Sequence, residues 1–250
     1  MFSKNKIQVI QGGYGNQIFQ IANALCNNIN TFDFSLIKYF ILKKIFSQSL
    51  RHYLSILDSL DLNFNIKTSA DPLKLIFNYI SYKALNKSTY QFSLGHSSRT
   101  IDYIYNNIGF KNNDSLLSEY DYFSFENTTI VHVRGGDYLL AKNHYFAQVD
   151  YEYYNRAANL FNNDFLIVTN DIEYFNSFSN KLTFKYNLFP NVQNDLVLMY
   201  LISKFHSTIC SNSTFSLSAS LLGNSVTCLP THYYKHKRNP FLGSENCIYL

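Results

Sequence analysis

The densest chemistry in the sequence lies in one short stretch, Val131-His132-Val133-Arg134-Gly135-Gly136-Asp137-Tyr138. Arginine carries a planar, permanently charged fork that matches phosphate oxygens, while histidine and aspartate beside it can donate, accept or orient. Arg134 is thus the leading candidate to neutralise an anion. Ser211-Asn212-Ser213-Thr214 adds hydroxyls and backbone amides at what reads as a helix start, a place that suits the same anion. Gly12-Gly13-Tyr14-Gly15-Asn16-Gln17 is a glycine turn, which lets amides approach a phosphate or a sugar closely. Asn170-Asp171 and Asn194-Asp195 supply further polar groups. Each has a plainer reading: Arg134 in a surface ion pair, Ser213, Thr214 and Asp195 as helix caps, His132 as a hydrogen-bonded core residue, the glycines as a tight turn.

These groups need elements to hold them. Ile7 to Ile10 reads as a strand, and apolar positions 18, 21, 22 and 25 after the glycine turn predict a helix. A dinucleotide-binding reading of that unit is weak, because the third glycine of the fingerprint would fall at Ile18. Ile130 to Val133 is a β-branched run that predicts a buried strand. Asp150 caps a helix whose inner face is Tyr154, Ala157, Ala158 and Phe161, and Phe165 to Thr169 is the next strand. Asn194-Asp195 opens the helix Leu196 to Phe205, Thr208 to Cys210 is a third strand, and Phe215 to Leu222 is another helix. Val226 to Leu229 is a fourth strand, closed by Pro230.

The order βαβαβαβ from 130 to 229 predicts an α/β fold with a doubly wound parallel sheet. Three strand ends, at 132–137, 169–171 and 211–214, bring polar groups to one carboxyl edge, which is where such sheets bind ligands. Between 34 and 90 the pattern predicts helices at 36–44 and 73–82 and an apolar run at 54–60, with no chemistry. His96 and Arg99 read as solvated loop residues, and Asn107 to Glu126 as the crossing between two domains, 1–125 and 126–250.

A length of 250 residues with 46% hydrophobic and 15% charged residues is ample for one or two globular cores. The net charge of +4 is scattered except at Lys235 to Arg238, too thin for nucleic-acid binding. Cys26, Cys210, Cys228 and Cys247 show no zinc spacing and read as reduced, mostly buried thiols. No basic leader opens the chain, and the apolar stretch Leu196 to Phe205 is far short of the roughly 20 residues that span a bilayer. A soluble cytoplasmic protein is expected, with at most peripheral contact at the inner face of a membrane.

The three blocks Gly12-Gly13-Tyr14-Gly15-Asn16-Gln17-Ile18-Phe19-Gln20, His132-Val133-Arg134-Gly135-Gly136-Asp137-Tyr138 and Ser211-Asn212-Ser213-Thr214-Phe215-Ser216 resemble the signature blocks of the bacterial α-1,2-fucosyltransferases of glycosyltransferase family 11, in the family's order. The resemblance implies a GT-B fold, two Rossmann-like domains facing across a cleft. It implies an inverting, metal-independent transfer of L-fucose from GDP-β-L-fucose to a galactose 2-hydroxyl of a lipid-linked or surface oligosaccharide, with no cofactor. Arg134, His132 and Asp137 would be catalytic, with Arg134 on the β-phosphate and Asp137 either touching substrate or orienting Arg134. Gly13, Gly15, Asn16, Gln17, Asp171, Asp195, Asn212, Ser213 and Thr214 would bind the donor, with Asp195 toward guanine.

Two positions depart from the family's pattern. Gly135 stands where a second arginine is usual, and Leu217-Ser218 where an aromatic pair is. Loss of one cation keeps two alternatives open: another GDP-deoxysugar as donor, or a nucleotide- or sugar-binding protein without turnover.

Overall fold

A computed structural model of the chain describes residues 7–10, 13–29, 31–33, 56, 59–62, 67–69, 90–91, 94–140, 146–147, 149–235 and 237–250. The helices expected at 36–44 and 73–82, most of the run at 54–60, and Gly12 lie outside the described residues.

In the first half the strands are β1 (Ile7–Val9), β2 (Thr31–Asp33), β3 (Leu60–Asp61), β4 (Lys67–Ser69), β5 (Tyr90–Gln91) and β6 (Gly109–Phe110). Four of them form a parallel sheet in the order β4-β2-β1-β5, while β3 pairs antiparallel with β6. Among the described residues the helices here are α1 (Tyr14–Cys26), α2 (Ser98–Asn107) and α3 (Asp114–Ser118).

The second half contains β7 (Thr128–Val133), α4 (Tyr151–Ala158), β8 (Asp164–Thr169), α5 (Ile172–Asn176), β9 (Asn187–Leu188), α6 (Asp195–Ile202), β10 (Ser207–Ile209), α7 (Thr214–Leu222) and β11 (Val226–Leu229). A hairpin of β12 (His232–Tyr234) and β13 (Lys237–Arg238) follows, and then β14 (Cys247–Tyr249). The sheet is parallel throughout, in the order β14-β11-β10-β7-β8-β9. This is the α/β fold with a parallel sheet that the β–α alternation predicts.

Strand order fixes where a ligand can sit. From β7 the chain steps to β8 and β9 on one side, then returns to place β10, β11 and β14 on the other. The order therefore reverses between β7 and β10, which opens a crevice at their carboxyl ends. The first sheet reverses likewise, with β2 and β4 on one side of β1 and β5 on the other.

All six residues of β7 are buried, as expected of a central parallel strand covered on both faces. Alternation along the strand then sorts its residues. Val131 and Val133 join Tyr153, Tyr154, Ile167 and Ile209 in one apolar cluster. Ile130 lies on the opposite face, in the larger cluster that also takes Ile10, Phe19, Phe32, Ile104 and Leu217. By the same alternation His132, two residues on from Ile130, belongs to the face turned toward the first sheet.

One expectation is corrected, and others gain detail. His96 and Arg99 are not in a solvated loop: Ser97 Oγ accepts from Thr100 N at 3.2 Å and caps α2, where Arg99 is exposed and donates to the Cys26 carbonyl at 3.3 Å. His96 instead packs against Phe19 and Phe241. Segment 107–126 holds β6 and α3. Strands β9 and β14 were not anticipated, because edge strands of two and three residues are too short to carry a period. All four cysteines are free thiols; Cys210 and Cys228 are buried, Cys26 and Cys247 only partly. No helix among the described residues is long and apolar enough to cross a membrane.

Candidate active site

A cavity of about 980 Å³ lies between the sheets, at the reversal points of both. Its volume is at the upper end of the roughly 300–1,000 Å³ usual for small-molecule sites. Gly13, Gly15 and Asn16 line it from the first sheet's side, and His132, Arg134, Asp137, Asp195, Ser213 and Thr214 from the second. Nine of the twelve residues expected at the site, drawn from separate stretches of chain, therefore share this one cavity.

On the first side two of the four lining residues are glycines, Gly13 and Gly15, with Tyr14 and Asn16 beside them. Gly13 precedes α1 and offers no side chain to cap it, and the positive end of the helix lies at the cavity. A Cβ on Gly15 would lie 2.4 Å from the Thr214 carbonyl group, so glycine is what allows α1 to meet the start of α7. Ser218 Oγ donates to the Gly15 carbonyl at 3.2 Å across the same contact. Asn16 Oδ1 accepts from Thr214 Oγ1 at 3.0 Å and lies 3.3 Å from His96 Nε2. His96 follows β5, so this pair spans the first reversal point. Burial lowers the His96 pKa to about 4 and keeps the ring neutral near pH 7.

On the second side the lining is side chains, each held by something else. Arg134 donates from Nη2 to Asp137 Oδ1 at 2.5 Å, and its guanidinium carbon lies 4.9 Å from the Tyr138 ring centroid. Tyr138 in turn stacks on Phe146 with centroids 4.0 Å apart, and Phe146 on Tyr234. The arginine thus rests on a ladder of rings. Its buried Nε has no partner among the described residues. His132 is 3% exposed and its Nδ1 lies 2.8 Å from Ser211 Oγ, across the gap between β7 and β10. Burial, and then the nearby Arg134 charge, lower its pKa to about 3. Ser213 caps α7 by accepting from Phe215 N at 3.3 Å, so its cap reading and its place on the cavity wall coincide.

Three expected donor-binding residues do not line the cavity. Gln17 is buried inside α1, one helical step of about 100° away from Asn16. Asn212 Nδ2 donates to the Ala147 and Tyr233 carbonyls and ties down the chain around the hairpin. Asp171 accepts from Tyr174 N through Oδ1 at 2.9 Å and from Gly136 N through Oδ2 at 2.7 Å, which lowers its pKa. Neighbouring Asn170 accepts from Gly135 N at 3.0 Å. The two residues after β8 therefore clamp the loop that carries Arg134. A Cβ at Gly135 would meet Asp171 and Tyr174 atoms at 2.7–2.9 Å, so that clamp occupies the place where a second arginine would begin. Asn194 rather than Asp195 caps α6, which leaves the Asp195 carboxylate in the first turn on the cavity wall.

Sequence reasoning missed the 188–193 segment, where Leu188, Phe189, Pro190 and Val192 give the cavity an apolar side. Phe189 N donates to the Ile167 carbonyl at 2.9 Å, and its ring stacks on Phe123 5.1 Å away. Its only sequence signal was an aromatic next to Pro190.

No protein-family model matches the chain, and no curated protein matches it. Solved structures do. The fucosyltransferase NodZ from Bradyrhizobium superimposes with a TM-score of 0.50 at 14% identity, over 88% of this chain and 94% of its own. A glycosyl transferase of family 9 from Veillonella parvula DSM 2008 gives 0.53 at 10% identity, over 100% and 88%. The fold is GT-B. At these identities the likeness concerns architecture, and the site rests on its own geometry. In GT-B terms the cavity is the cleft between the two sheets, closed on one side by α1 and on the other by the carboxyl edge of β7, β8 and β10.

Proposed function

We propose that the chain is an inverting, metal-independent glycosyltransferase that moves L-fucose from GDP-β-L-fucose to a galactose 2-hydroxyl. The observation that carries the reading is the convergence of Arg134 and the N-termini of α1 and α7 on one cleft of about 980 Å³. A guanidinium and two helix starts are arranged for a diphosphate. The fold of the fucosyltransferase NodZ supports a fucosyl donor, and the three sequence blocks support the 2-hydroxyl as acceptor.

The chemistry follows from where charge develops. The acceptor oxygen bonds to the anomeric carbon as the bond to the β-phosphate breaks; GDP leaves with the electron pair, and the acceptor oxygen gives up its proton to water. Preorganised donors aimed at the departing phosphate lower the barrier most, because they need no rearrangement as charge appears. Arg134, the N-terminal end of α1 and the start of α7 would fill that role here, with no divalent ion required. Asp137 holds the guanidinium, and Asp195, on the cavity wall beside the apolar segment, would take a guanine edge. The acceptor would be a lipid-linked or surface oligosaccharide, met in the cytoplasm or at the membrane's inner face.

Incubation with GDP-fucose and a β-galactoside in EDTA is expected to release GDP and yield an α-1,2 linkage; metal-dependent release or another linkage overturns the corresponding part. A second reading, with another GDP-deoxysugar as donor, is favoured by Gly135, where the Asp171 clamp replaces a second cation. A donor panel decides between them. GDP binding by calorimetry with no transfer from any donor would instead support a non-catalytic binding protein.

A further inference from the structure

We infer that Ser211 is a positioning residue that fixes His132 as its Nε2–H tautomer, so that His132 meets a ligand as a neutral hydrogen-bond donor and not as a base. The identity of that ligand rests on the reading above; the tautomer does not.

The argument is one of hydrogen-bond satisfaction. Ser211 is 1% exposed, and the only partner of its hydroxyl among the described residues is His132 Nδ1 at 2.8 Å. If Nδ1 carried the proton it would donate to Ser211 Oγ, and the serine O–H would then have no acceptor in a dry site. If Ser211 donates to Nδ1, both groups are satisfied. An unmade buried hydrogen bond biases such an equilibrium by roughly tenfold or more. The ring proton is therefore on Nε2. That nitrogen has no protein partner among the described residues, and His132 lines the cavity, so the N–H is offered there.

A second proton is opposed from all sides. The ring is buried between β7 and α7, its near neighbour is the Arg134 guanidinium, and the adjacent carboxylate, Asp137, is already paired with that guanidinium. A neutral ring with Nε2 occupied cannot take a proton from an acceptor hydroxyl. It can donate to a phosphate or ribose oxygen, beside Arg134 and the start of α7. Ser211 lies just before the Ser213 cap, so one short segment both shapes the anion site and sets the protonation of the residue opposite.

The direct test is long-range ¹H–¹⁵N NMR on resting, ¹⁵N-histidine-labelled protein, with the His132 signals identified by their loss in His132→Gln. The expected result is a protonated Nε2 and a bare Nδ1 near neutral pH, with Ser211→Ala converting His132 to a tautomer mixture. A protonated Nδ1, or an imidazolium, overturns the inference. In turnover, Ser211→Ala is expected to lower kcat/KM roughly 10- to 100-fold, with Ser211→Thr restoring most of the loss. His132→Gln, whose amide nitrogen reaches the Nε2 position, falls less far than His132→Ala; equal loss in the two overturns the donor role. Because the NMR reads the protein without any sugar, a chain that transfers nothing would sink the transferase reading and leave the tautomer standing.

Discussion

Where β1 ends, the chain delivers a helix start with little side-chain chemistry: Gly13 has no cap to offer, and Gly15 is pressed against Thr214. Where β7 ends, it delivers His132, Arg134 and Asp137, braced by Ser211, Tyr138, Asn170 and Asp171. Both are reversal points of a parallel sheet, and each is bridged by a histidine: His96 to Asn16 in the first, His132 to Ser211 in the second. The first side works by close approach of backbone, the second by aimed side chains. A site divided this way needs space on one side and bracing on the other.

The contrast can be broken most severely on the second side. Arg134→Ala removes the fixed cation and is expected to lower GDP release from the donor sugar roughly a thousandfold or more, read by a coupled GDP assay. Retained release would mean that backbone amides alone carry the leaving group.

Acid tests the two bridges together. His96 and His132 have pKa values of about 4 and about 3, below the ordinary 6.5. Between 6.5 and those values the unfolded chain binds more protons, so stability is full above pH 6.5 and falls as pH drops, by at most about 1.4 kcal/mol per pH unit for each group. Melting temperatures from pH 7.5 to 4.5 should show the fall, and His96→Gln should flatten it.

Close approach is tested by Gly15→Ala. The added methyl meets backbone that no rotamer change can relieve, and the expected loss is about 1–3 kcal/mol. That corresponds to a drop of several degrees in Tm for a chain of this size. An unchanged Tm would show that α1 and α7 can part at no cost.

Bracing is tested by Asp171→Ala, which removes the cap of α5 and the acceptor for Gly136 N. A stability loss of about 1 kcal/mol is expected from the cap. A larger fall in kcat than in donor binding would show that the clamp acts through Arg134. Equal effects on both would make Asp171 merely structural.

Much of this was legible because local rules governed it. The β-branched run before His132 and the caps at Asp150 and Ser213 follow from propensity and short-range hydrogen bonds, and the structure has them. For His96 and Asp171 local context was a poor guide: each lies next to polar residues, which suggested a loop for one and a ligand contact for the other. Their partners, Asn16 and the Gly136 amide, are 80 and 35 residues away.

What the sequence by itself determined is the inventory: strands that end in polar groups, helices that begin at caps or glycines, and an arginine fixed at one strand end. Only the tertiary structure decided which groups meet. Strand order, set by how helices pack on a sheet's two faces, placed β10 beside β7 and so put Ser211 on His132. The contact of α1 with α7 brought two helix starts, some 200 residues apart along the chain, to one cavity. Side-chain period along a strand is a local property, whereas neighbourhood across a sheet is chosen by the burial of the whole core.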